Sequence, residues 1–161
     1  MKTPSISSFF ETFWQDKLRF SPTYATFCGV HQYDDEVEDL SLKKDRERKN
    51  WLQAVYEQLE TFPENQLSPE DKVSREILMD DIKLGQKFDP FPLHHLCVDQ
   101  MMGIHLSFLS LVRVHPFKTL ADFKNYAKRL KGHSKQLMQA LGHLKSGLKK
   151  GWTNQIGRAH V

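Results

Sequence analysis

The chain has 161 residues, enough for one domain or part of one. Its 39% hydrophobic and 11% aromatic content excludes a disordered chain, and 27% charged residues suit a water-facing surface. The net charge of +3 is small but unevenly spread: Asp34, Asp35, Glu36, Glu38 and Asp39 form an acidic loop, while the stretch from Lys118 to Lys150 is basic.

The periodicity is helical throughout, with no alternation of period two long enough to build a sheet. Ser7 or Ser8 is expected to cap a first helix whose Phe9, Phe10, Phe13, Trp14 and Leu18 draw one broad apolar face. That face is a core surface rather than a membrane anchor, because few basic residues flank it. Ser21-Pro22 restarts a helix and Gly29 ends it in the left-handed conformation. Ser41 caps a long helix with Leu52, Val55, Tyr56, Leu59 and Phe62 on one side, closed by Pro63. Ser68-Pro69-Glu70-Asp71 opens the next, on which Val73, Ile77, Leu84 and Phe88 face one way.

Asp89-Pro90-Phe91-Pro92 cannot continue a helix, and residues 93–116 mix apolar and polar positions. Thr119-Leu120-Ala121-Asp122 resembles a capping box with Asp in place of Glu. The helix it opens is expected to bury Leu120, Phe123, Ala127 and Leu130, to continue through Leu137, Leu141, Leu144 and Leu148, and to bend or split at Gly132. The final string, Ile156 to Val161, has no periodicity and matches the translation of a common sequencing adapter. It is set apart as a non-native tail, so that 1–155 is the native part and the natural protein is expected to continue beyond Gln155.

Motifs for chemistry are missing. There is no His-Glu-x-x-His, no Gly-x-Ser-x-Gly, no phosphate-binding loop and no dinucleotide fingerprint. Adjacent His94 and His95 point apart, with no acid or cysteine spaced to complete a metal set, so no catalytic or metal residue is assigned. Pairs such as Asp34-Asp35 and Asp80-Asp81 are expected to be solvated, and Cys28 and Cys97 to be buried, reduced thiols. No run approaches the roughly 18 apolar residues of a membrane span and the start lacks a signal-peptide core, so the expected location is cytoplasmic, with no membrane partner.

In order, Phe13-Trp14, Ser21-Pro22-Thr23-Tyr24-Ala25-Thr26 with Gly29, Tyr33-Asp34-Asp35 with Asp39-Leu40-Ser41, Leu67-Ser68-Pro69-Glu70-Asp71, Phe91-Pro92, Gln100-Met101-Met102-Gly103 with His105, and Pro116-Phe117-Lys118-Thr119 leading to Asp122-Phe123 and Tyr126 form a series of landmarks. It resembles the N-terminal part of the family called domain of unknown function 885 (DUF 885), large bacterial helical proteins. The resemblance implies an all-α, irregular multi-helix assembly, an incomplete N-terminal portion of a larger helical fold. Members look like zinc metallopeptidases whose His-Glu-x-x-His helix lies toward the C-terminus. The parent would then cleave a peptide bond with a zinc-activated water and a glutamate base, and this chain would form one cleft wall without cofactor or activity of its own. Its partners would be the missing C-terminal part of the same chain and, for the parent, a peptide substrate. Gln100 and His105, polar residues in an irregular glycine-containing segment, are the candidate cleft-lining positions. If native protein continues past the last helices, some of Leu137, Met138, Leu141, Leu144, Leu148 and Trp152 should be exposed. The competing reading is a basic helical binding module for nucleic acid or an acidic protein partner, with nucleic acid disfavoured. Steep loss of binding with salt would mark it.

Overall fold

The computed structural model describes residues 5–99 and 103–153, except the side chain of Ser107. Gln100 and the tail 156–161 lie outside the described residues. In chain order the helices are α1 (Ile6–Phe20), α2 (Pro22–Phe27), α3 (Leu42–Glu60), α4 (Pro69–Phe88), α5 (Ile104–Ser110) and α6 (Leu120–Lys149), with 3-10 turns at Glu64–Gln66, Leu93–Leu96 and Leu111–Arg113. No strand occurs among the described residues, and the fold is all-α as expected. The described residues form two compact units, one lying within residues 1–20 and 41–91, the other within 21–40 and 92–161.

In the first unit, α1, α3 and α4 surround a core of Ile6, Phe9, Val55, Leu59, Phe62 and Ile82. Burying each such side chain contributes about 1.5–3 kcal/mol. The Phe13 ring stacks on Trp51 at 5.5 Å and Phe20 leans on the same indole at 4.9 Å, which fixes α1 along α3. Local signals set the helix starts. Ser41 Oγ accepts from Lys44 N–H and Ser68 Oγ from Asp71 N–H, each satisfying a donor with no partner inside its helix. At α1 the cap is Ser5, whose Oγ accepts from Ser8 N–H, so the helix begins ahead of the expected Ser7 or Ser8.

The apolar face expected on α4 exists, but Val73, Ile77, Leu84 and Phe88 are exposed. The side turned to the core carries Leu78, Met79 and Ile82, and Arg75 Nε donates to the Leu59 carbonyl at 2.9 Å. Spacing identifies a shared face; it does not say whether anything lies against it.

In the second unit, α2 ends at Gly29, whose φ of +78° is the left-handed geometry expected there. Thr119 and Asp122 form the expected capping box at α6, with Asp122 also accepting from Lys118 N–H. α6 runs unbroken for 30 residues, through Gly132. Gly132 does not split the helix, and its missing side chain admits Val37: a Cβ there would meet Val37 Cγ2 at 3.0 Å.

The largest correction concerns which side of α6 is buried. Leu120, Phe123, Ala127 and Leu130 are exposed, Leu120 at 71%, whereas Arg129, Gln136, Ala140 and Gly147 are buried. The inner side meets the backbone of loop 33–40, which has no strand to pair with, so its peptide groups need polar partners. Leu137, Met138, Leu141, Leu148 and Trp152 are exposed as expected, and Leu144 is half-buried.

Candidate functional site

Along α6, one polar side chain after another takes up the loop. Lys128 Nζ pairs with Asp35 at 3.0 Å, and Arg129 Nε donates to the Glu36 carbonyl at 2.9 Å. Gln136 Nε2 donates to the Glu38 carbonyl at 3.1 Å. Gln139 Oε1 accepts from Leu40 N–H while its Nε2 donates to Asp39, and His143 Nε2 donates to the Leu40 carbonyl at 2.6 Å. Residues 129, 136 and 143 lie seven apart, two helical turns each, which keeps all three on one side.

At the N-terminal end of this ladder sits a buried ionic cluster. Arg129 is fully buried and Asp34 is 2% exposed, with 3.6 Å between Nη2 and Oδ1. Thr26 Oγ1 accepts from Arg129 Nη2 and donates to Asp34 Oδ1, both at 2.6 Å, so the hydroxyl relays between the two charges. Nη2 also lies 3.1 Å from the Pro22 carbonyl and 3.0 Å from that of Tyr33. His31 Nδ1 is 3.0 Å from Asp34 Oδ2. Arg129 Nη1 donates to His115 Nδ1, which leaves His115 Nε2–H to donate to the Asp122 carbonyl at 3.0 Å. Burial draws the guanidinium below its usual range; the carboxylates of Asp34, Glu38, Asp35 and Glu36 pull the other way. Asp34 is thus not solvated as the sequence suggests: the cluster fastens α2, the loop and the 111–115 segment to α6.

Beside it is a cavity of about 250 Å³ lined by Thr23, Phe27, Glu38, Leu40, Ile104, Phe108, Leu111 and Gln136. Its polar groups are already engaged. Glu38 Oε1 accepts from Thr23 N–H and Thr23 Oγ1, and Gln136 Oε1 accepts from His133, whose ring stacks on Phe108 at 3.9 Å. What remains is apolar wall, suited to a small apolar group, with no nucleophile next to a base.

Of the two candidate cleft residues, His105 is exposed on the first turn of α5, with its ring against Gly103, and is not among the residues lining that cavity; Gln100 lies outside the described residues. His94 and His95 do not diverge: their ring centroids are 4.1 Å apart, and His143 lies 5.2 Å from His94. His95 is 2% exposed and neither ring nitrogen has a hydrogen-bond partner. The three rings meet edge to face rather than converging on a point, and no group of three or more His, Cys, Asp or Glu among the described residues could hold a metal. Cys97 is half-buried, its thiol pushed up by burial, but Cys28 is exposed, contrary to expectation, because it caps the short α2.

No helix of the described residues is long and apolar enough to cross a membrane. No curated protein and no solved structure matches the chain. The family model described as "Bacterial protein of unknown function (DUF885)" matches residues 22–161, starting after α1 and so after Phe13-Trp14, the first of the landmarks. The match spans α2 to α6 and most of the sequence, and the chain belongs to the DUF885 family.

Proposed function

We propose that this chain is a structural wall of a larger helical peptide hydrolase and carries none of its catalytic groups. One observation supports this most: α6 turns Arg129, Gln136 and His143 inward on loop 33–40 and leaves its apolar stripe, from Leu120 to Leu148, facing out. A soluble monomer rarely leaves so long a stripe bare, so further protein is expected to cover it. The zinc implied by the resemblance finds no fitting donor set among the described residues, and no step through it is assigned to this chain. What the chain contributes is a rigid face, set by the Arg129–Asp34 cluster and the hydrogen bonds that follow it along α6. A cytoplasmic location belongs to the same proposal.

Reading the genomic DNA beyond the codon for Gln155 tests it. The expected result is a long open frame containing His-Glu-x-x-His; a stop within a few codons, or a long frame without that motif, overturns the proposal. As a second check, residues 1–161 alone should hydrolyse no peptide and retain no equimolar zinc after dialysis.

A further inference from the structure

The outer side of α6 is more than apolar. Leu120, Phe123, Leu130, Leu137, Leu141 and Leu148 are exposed and recur at three, four or seven residues, the spacing of a helix-packing seam. Of these, Phe123, Leu130 and Leu148 are each followed directly by a lysine, Lys124, Lys131 and Lys149, about 100° further round the helix. Lys124, Lys131, Lys135 and Lys145 are all exposed, and no acidic residue occurs on α6 after Asp122. The opposite edge of the seam is closed by the unit itself, where Ala140 and Gly147 are buried. The seam is therefore a shelf with the protein body on one side and a row of lysines on the other.

We infer that this shelf docks an amphipathic helix whose apolar stripe is edged with Asp or Glu, supplied by the part of the family fold proposed above to cover α6, and the inference rests on that reading. Charge complementarity selects this occupant. A second copy laid antiparallel would set lysines against lysines, and one laid parallel would direct them at the side its own body fills. A membrane-bound helix carries basic residues along both edges of a wider apolar face, whereas this one has a single basic edge.

The test uses the full 161-residue chain and two labelled synthetic helices of roughly four heptads, alike in their Leu seam, one with Glu flanks and one with Lys flanks. Anisotropy titrations should show saturable binding of the Glu-flanked helix at least about tenfold tighter than of the Lys-flanked one, weakening with salt. In Lys124→Glu/Lys131→Glu/Lys145→Glu, with helicity checked by circular dichroism, the preference should invert. Equal binding of both peptides, binding of neither, dimerisation through this face in sedimentation, or binding of anionic vesicles or duplex DNA in place of the peptide would each overturn the inference. The outcomes separate cleanly from those of the DNA reading: a downstream zinc motif without peptide binding removes only the docking surface, and peptide binding without the motif removes only the hydrolase.

Discussion

Arg129 shows how one side chain can set a fold. Fully buried, it reaches carbonyls of Pro22, Tyr33 and Glu36 as well as Thr26, His115 and Asp34. Arg129→Met should cost about 3–5 kcal/mol, since it strands the buried Asp34 carboxylate. Arg129→Met/Asp34→Leu should recover only part of that, because the Glu36 carbonyl is left without its donor and those of Pro22 and Tyr33 each lose one of theirs. Urea unfolding of both variants measures this, and full recovery in the double variant would reduce Arg129 to a simple ion-pair partner. Gly29 is the second telling position: with φ at +78° and nothing within 4 Å of a built Cβ, Gly29→Ala should lose about 1–2 kcal/mol through backbone conformation alone.

At the scale of elements, the glycines of α6 make opposite predictions. Gly142 has open space around it, so Gly142→Ala should stabilise by about 0.5–1 kcal/mol through helix propensity. Gly147 lets the 93–96 turn approach, since a Cβ there would lie 2.8 Å from His95 Cβ and from the Trp152 carbonyl oxygen. Gly147→Ala should therefore destabilise by about 1–3 kcal/mol, and thermal melts of the pair check the contrast. The α6 cap adds a pH dependence. The hydrogen bond from the Thr119 N–H, opposed by burial and joined by that from the Lys118 N–H, holds the Asp122 carboxyl below its ordinary 3.8. The unfolded chain then binds the proton more readily, so the cap's contribution is complete above that value and fades as pH falls through the lower folded one. The stability gap between the native chain and Asp122→Asn should be flat near neutrality and shrink only in that acidic window. The starts of α3, α4 and α6, and the stop at Gly29, were legible in the sequence because a cap lies within a few residues of what it satisfies. The inner face of α6 was not, because what lies against it, loop 33–40, is about a hundred residues away in the chain. The signal was present in Arg129, Gln136 and His143 at seven-residue spacing, but an apolar stripe of the same period competes with it, and periodicity alone assigns the core to the apolar side. For the same reason Asp34 looks solvated in the sequence and is buried in the fold.

For the whole molecule, the central claim is that the bare side of α6 is a covered surface in the complete protein. Radical footprinting of Phe123, Met138, Leu141 and Leu148 measures this directly, by comparing residues 1–161 alone with the protein expressed from the full genomic reading frame. These side chains should label readily in the 161-residue chain and fall several-fold in the complete protein, while buried Leu59 and Phe108 label little in either. Equal labelling of the α6 side chains in the two proteins would contradict it.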